Sequence, residues 1–178
     1  MIVYFLRHAS AGQHKANPAK DERRPLDKDG IRQAHDIGRA LAALDVQLDA
    51  VLSSPLKRST QTAAVVANET GFEAKLEIVD GLRPEASFAS FQALMRKHET
   101  QDAILVVGHN PNLSEFLSLL VSAGTNKQAM DLRKGAVAKV ELTGRRTATL
   151  QWCLTPKVVR VLYDASSAVN SAEKRARK

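Results

Sequence analysis

At 178 residues, with 44% hydrophobic and 25% charged residues, the chain has the make-up of one globular domain with a substantial core. A net charge of +7 favours acidic partners, whether phosphorylated protein, polyphosphate, nucleic acid or anionic membrane, while 4% aromatic content argues against base-stacking nucleic-acid platforms. A single cysteine, Cys153, excludes an intrachain disulfide, and with no bilayer-length apolar run or signal-peptide pattern the expected location is the cytoplasm.

Ile2 to Leu6 is a continuous apolar run rich in strand formers, the pattern of a central strand buried on both faces. Ala9 to Asp29 has no periodicity and carries Gly12, Asn17, Pro18 and Pro25, which predicts a long loop. From Ile31 the apolar positions Ala34, Ile37, Leu41 and Leu44 step by three and four, predicting an amphipathic helix that ends near Asp45. Ala50 to Leu52 is a second strand. Ser54 is then read as an N-cap with Pro55 at the first helical position, and the helix runs to Gly71. A third strand over Lys75 to Val79 leads through Pro84 into a helix carrying Phe88, Phe91, Leu94 and Met95 and ending near His98. Ala103 to Val107 is a fourth strand, followed by Asn110 as N-cap, Pro111 at the first helical position and a helix to Ala123. Ala136 to Leu142 and Thr147 to Leu154 alternate as an antiparallel hairpin. The expected organisation is one domain over 1–163 and a basic, frayed tail over 164–178.

Basic or imidazole side chains follow the carboxyl ends of three of these strands: Arg7-His8, Arg58 and His109. Ligands of open parallel sheets bind outside the carboxyl ends of the strands, so the four residues are expected in one pocket. Two guanidinium groups and two imidazoles around one point suit a phosphoryl group without requiring a metal. Neutral His8 has a lone pair able to attack phosphorus, Arg7 and Arg58 can neutralise the equatorial oxygens, and His109 can donate a hydrogen bond to the same group. The helix amino termini expected after Ser54 and Asn110 add dipoles that favour an anion, and no Walker-type phosphate loop is present. His14, His35 and His98 are read as surface residues, Cys153 as a small core residue, and Trp152 as either core or pocket wall. Arg24 either lines the pocket mouth or solvates the loop, and Ser10 is equally open.

Leu6-Arg7-His8-Ala9, the segment Ser53-Ser54-Pro55-Leu56-Lys57-Arg58-Ser59-Thr60-Gln61-Thr62, and Val107-Gly108-His109-Asn110-Pro111 together resemble the histidine phosphatase superfamily, also called phosphoglycerate-mutase-like. Ala9 stands where many members have glycine. The compact length, Arg24-Pro25-Leu26 ahead of Gly30, and Trp152 followed by Leu154-Thr155-Pro156 look most like the small SixA-type phosphohistidine phosphatases. The resemblance implies a three-layer α/β sandwich on a mixed, mainly parallel sheet. It also implies His8 as the phosphorylated nucleophile, with Arg7, Arg58 and His109 as the phosphate pocket. No cofactor or metal is implied, and the expected substrate is phosphohistidine on a signalling phosphotransfer protein. Larger members supply an acid after the third strand, where Glu85 is the nearest residue; it is either that acid or a solvated loop carboxylate. A labile P–N bond needs less leaving-group assistance than an alkyl ester. The alternatives are a phosphatase for small phosphate esters, a non-catalytic phosphoprotein-binding module, and a nucleic-acid-binding basic protein.

Overall fold

Strand β1 (Ile2–Arg7) is apolar up to its last residue, and its pleat sends Val3 and Phe5 to one side and Tyr4 and Leu6 to the other. Such a strand is stable only if both faces are covered. The computed structural model, which describes residues 1–144 and 146–165, meets that need with a six-stranded sheet between two helical layers. In chain order the elements after β1 are α1 (Pro18–Glu22), α2 (Lys28–Ala43), β2 (Ala50–Ser53), α3 (Lys57–Glu69), β3 (Glu77–Ile78), α4 (Phe88–Lys97), β4 (Ala103–Gly108), α5 (Asn112–Val121), β5 (Val137–Leu142) and β6 (Ala148–Leu154). Residues 156–165 form a final helix, α6.

The sheet order is β3-β2-β4-β1-β5-β6, with β1–β4, β2–β4 and β2–β3 parallel and β1–β5 and β5–β6 antiparallel. This is the mixed, mainly parallel α/β sheet expected of the sequence. Phe91, Leu94 and Met95 of α4 and Leu113, Phe116, Leu117 and Leu120 of α5 pack on the Val3, Phe5, Ile104 and Val106 face. Ile37 and Leu41 of α2, Ala63 and Val66 of α3 and Val159 of α6 pack on the Tyr4, Leu6, Leu105 and Val107 face. Each fully buried large side chain contributes about 1.5–3 kcal/mol of hydrophobic stabilisation.

Several local expectations change. The segment Ala9 to Asp29 is not all loop: Asn17 Oδ1 accepts from Lys20 N and Pro18 occupies the first turn, so α1 forms within it. Helix α2 begins at Lys28, because Asp27 caps it by accepting from Gly30 N at 2.7 Å. Ser54 and Asn110 are not N-caps. Helix α3 starts only at Lys57 and α5 at Asn112, neither with a side-chain cap, because Ser54 Oγ faces His109 and Asn110 Oδ1 accepts from Ser114 Oγ. Helix α6 was not anticipated, although Thr155-Pro156 carries the capping pattern and Thr155 Oγ1 accepts from Val158 N. It continues past Tyr163, and residues 166–178, with the basic end of the expected tail, lie outside the described residues.

His98 is buried rather than exposed, its Nε2 3.6 Å from Glu77 Oε2 and its Nδ1 3.0 Å from Gln101 Oε1, because the end of α4 closes against β3. Cys153 is exposed rather than in the core. A register slip opposite Lys139 and Val140 turns Trp152 and Leu154 toward the α2 side, and Cys153 falls on the uncovered side of this edge strand.

The loop after β1 is held by the start of α2. Asp27 Oδ2 accepts from Ser10 Oγ and Gly12 N, both at 2.7 Å, and Gln33 Oε1 accepts from Ser10 N at 2.9 Å. Ser10 thus fastens the loop. The approach is so close that a Cβ on Gly30 would lie 1.8 Å from the Ser10 carbonyl oxygen. Gly30→Ala is therefore expected to lower stability by at least about 1–3 kcal/mol in urea unfolding; an unchanged midpoint would show that the loop yields freely.

Candidate active site

The strand order places the carboxyl ends of β2, β4 and β1 side by side, and helices leave β1 and β4 on opposite faces, which opens a crevice between them. Arg7 ends β1 opposite Gly108, and the next residue keeps the register, with His8 N donating to Gly108 O at 3.0 Å. Ser54 N donates to Val107 O at 3.0 Å, so the turn after β2 stays attached to β4. His109 follows directly from β4, and its ring centroid lies 5.0 Å from that of His8. Arg58, in the first turn of α3, donates from Nε to His8 Nε2 at 3.2 Å. The structure thus brings together Arg7, His8, Arg58 and His109, and all four line one cleft of about 480 Å³.

His8 Nδ1 lies 2.7 Å from Ala9 O. A carbonyl only accepts, so the proton is on Nδ1 and the Nε2 lone pair meets the Arg58 N–H. Burial, then the charges of Arg58, Arg7 and Lys134, outweigh the Ala9 hydrogen bond and push the His8 pKa down to about 3. Burial, then the neighbouring His8, Arg58 and Arg7, outweigh the Asp21 carboxylate and push His109 to about 2. Both rings are neutral at pH 7. Burial also lowers the pKa values of Arg7 and Arg58, whose guanidinium groups stay charged.

Asp21 is the site residue that the sequence reading missed. It is the buried residue of α1, where Arg58 Nη1 donates to its Oδ2 at 3.2 Å and to its carbonyl at 3.0 Å. Burial opposes its charge, but the Lys15 N–H and the Arg24 guanidinium prevail and hold the carboxyl at about 2. The signal that would have found it is Asn17-Pro18, the same cap-and-proline pattern recognised elsewhere, which places a helix and hence Asp21 over the pocket. Thr62 was also missed; its hydroxyl donates to Arg58 O at 2.7 Å and accepts from Ala9 N at 3.1 Å, tying α3 to the residue after His8. Ser54 and Ser59 present their hydroxyls to His109 Nε2 at 2.9 and 3.2 Å.

Arg24 takes the first of its two alternatives, and its side chain, only 10% exposed, does not merely solvate the loop. It lines the cleft while its Nη1 donates to Ala11 O at 2.7 Å and its Nε to Asp21 Oδ1 at 2.9 Å, fastening the loop. Glu85 lines the same cleft at its rim, with a side chain 71% exposed and 4.0 Å from Arg83 Nη1. His14 is exposed at the mouth, 3.8 Å from Asp21 Oδ2, whereas His35 pairs with Glu69 at 2.6 Å away from the site. Trp152 packs against the α2-side core with its ring 5.9 Å from Tyr4, and is no pocket wall of this cleft.

The family model described as histidine phosphatase superfamily (branch 1) matches residues 3–94. An uncharacterized protein of a Picosynechococcus strain is 33% identical over 140 residues, covering 77% of this chain and 82% of that protein. The phosphohistidine phosphatase SixA of Escherichia coli is 25% identical over 158 residues, covering 88% and 94%. The solved structure of the protein histidine phosphatase SixA complexed with tungstate superposes with a TM-score of 0.79 at 24% identity, covering 89% of this chain and 99% of that one.

Because Asp21 is the counter-charge of buried Arg58, Asp21→Asn is expected to lower unfolding free energy by about 3 kcal/mol. Inorganic phosphate should raise the Tm of this variant more than that of the unsubstituted protein, and equal shifts would show that Arg58 does not depend on the carboxylate. The buried neutral histidines set a second expectation. The unfolded chain takes up their protons near pH 6.5 and the folded chain only near pH 3 and 2, so stability is complete above pH 6.5 and falls on acidification below it. Urea unfolding at pH 7 and pH 5, alongside imidazole ¹⁵N shifts that keep His8 in the Nδ1–H form at both, checks this.

Proposed function

The chain belongs to the histidine phosphatase superfamily and is a phosphatase of that class, and from this premise we propose that it hydrolyses phosphohistidine on a protein through a phospho-His8 intermediate, without a metal. The observation that carries the reading is the pairing of His8 Nδ1 with Ala9 O, which leaves the Nε2 lone pair as the reactive atom, held by Arg58 Nε at 3.2 Å. In the first step Nε2 attacks phosphorus. The P–N bond to the substrate imidazole breaks, its electron pair returns to that ring, and the ring takes a proton from solvent. In the second step water attacks phosphorus, the P–Nε2 bond breaks, and inorganic phosphate leaves with the lone pair restored to His8. Arg7 and Arg58 carry the charge of the equatorial oxygens, and His109 donates to one of them. Arg24 belongs to the mouth of the same cleft.

A protein substrate is supported by the openness of the mouth, where Lys15, Arg24 and Lys134 add positive charge around the cleft. Similarity to the E. coli protein named phosphohistidine phosphatase SixA supports the same class. A phosphohistidine phosphotransfer protein of a signalling system is the partner proposed. A cytoplasmic location suits such a partner and keeps the exposed Cys153 thiol reduced; no helix among the described residues is long and apolar enough to cross a membrane. Glu85 on the cleft rim favours a second reading, in which it protonates the oxygen of a small phosphate ester.

Phosphate release is measured from a phosphohistidine-bearing phosphotransfer protein and from an aryl and an alkyl phosphate, with and without EDTA. Turnover of the phosphoprotein is expected to be the fastest, to survive EDTA, and to fall at least about 1000-fold in His8→Ala. Glu85→Gln is expected to change it by less than about threefold. If the esters are preferred and Glu85→Gln costs them about 100-fold, the ester reading replaces this one.

A further inference from the structure

His109 is 2% exposed, and its two ring nitrogens are treated very differently. Nε2 faces two hydroxyls, Ser54 Oγ at 2.9 Å and Ser59 Oγ at 3.2 Å. Nδ1 is buried and has no hydrogen-bond partner among the described residues. Neither ring nitrogen is hydrogen-bonded to a carboxylate or carbonyl among the described residues, so the choice falls to the serines. Ser54 Oγ accepts from Leu56 N at 3.4 Å, which fills one of its acceptor positions and leaves its O–H available to donate to the ring. That chain runs from the Leu56 N–H to Ser54 Oγ–H and on to the Nε2 lone pair. It leaves the single imidazole proton on Nδ1, on a ring centred 5.0 Å from His8. The opposite tautomer would present a lone pair to the phosphoryl oxygens and repel them.

We infer that Ser54, supported by Ser59, is a positioning residue that fixes His109 as its Nδ1–H tautomer, so that this orphaned buried N–H is the donor to the phosphoryl group. The inference rests on the phospho-His8 reading above and adds to it the residue that determines the polarity of the pocket. It also accounts for Ser54 not capping α3: its hydroxyl is engaged with His109 instead. The device costs no buried charge, because the ring stays neutral and the groups behind it are two uncharged hydroxyls.

The test uses the full ¹⁵N-labelled chain with inorganic phosphate as the probe. Long-range ¹H–¹⁵N spectra of the unsubstituted protein are expected to show His109 protonated at Nδ1 and not at Nε2, with the Nδ1 signal shifting when phosphate is added. Ser54→Ala is expected to convert a measurable share of His109 to the Nε2–H form, to weaken phosphate binding, and to lower kcat about 10- to 100-fold with the His8 signals unchanged. Ser59→Ala should cost less, and Ser54→Thr, which keeps the hydroxyl, should recover most of the loss. A proton on Nε2 in the unsubstituted protein overturns the inference, and so does Ser54→Ala with an unchanged tautomer and kcat within twofold. If Ser54→Ala does not fold, the spectrum of the unsubstituted protein with and without phosphate decides. The tautomer is read without turnover, so this inference can fail while His8→Ala still abolishes activity, and the reverse outcome is equally visible.

Discussion

The constraint on which the site depends is the parallel register of β1 on β4. Arg7 lies opposite Gly108, His8 donates its backbone N–H to Gly108, and the two strands therefore end at the same level. Residues about a hundred positions apart become the two walls of one crevice, and β2 on the far side of β4 delivers Ser54 and then Arg58 to its edge. A slip of one residue in either pairing would turn the core side chains of the slipped strand to the wrong face. The hydrophobic alternation that protects the core therefore also protects the geometry of the pocket.

Within that frame the electrostatics follow from burial. A pocket with two guanidinium groups cannot also hold two protonated imidazoles, and exclusion of water drives both histidines neutral. Among the described residues, Arg58 alone of the four has a carboxylate within hydrogen-bond distance, that of Asp21. The carboxylate is in turn secured by Arg24 and the Lys15 amide, so the loop after β1 and helix α1 act as the outer support of the cationic centre. The hydrogen bonds of Asp27 and Gln33 to Ser10 and Gly12 hold the same loop from the α2 side. His8, Arg58 and His109 thus each have their direction set by a partner outside the centre.

Motifs built from neighbouring residues were legible from the chain alone. Leu6-Arg7-His8, Arg58 in the segment after β2, and Gly108-His109 each sit at the end of a strand that apolar patterning makes visible. What escaped were choices made by partners distant in sequence. Ser54 and Asn110 have the sequence grammar of helix caps, yet each hydroxyl or amide found a better partner across the fold. His98 looked like a surface residue on a polar helix end until β3 closed over it, and Cys153 looked buried until the slip in β6 changed which residues face the core. Asp21 sat in a stretch without periodicity, where a five-residue helix is signalled only by its Asn17-Pro18 cap.

The sequence by itself determined the alternation that makes a two-sided sheet, the order of strands and helices, and the family to which the chain belongs, because these reside in local composition and in short motifs. Only the tertiary structure decided which nitrogen of His8 carries a proton, which carboxylate balances Arg58, and which hydroxyls face His109. Those are set by contacts across 37 to 55 positions of chain, apart from the bond of His8 to its neighbour Ala9. Hydrogen bonds and ion pairs act over a few ångströms, so their partners are selected when the strands take up their register and not before.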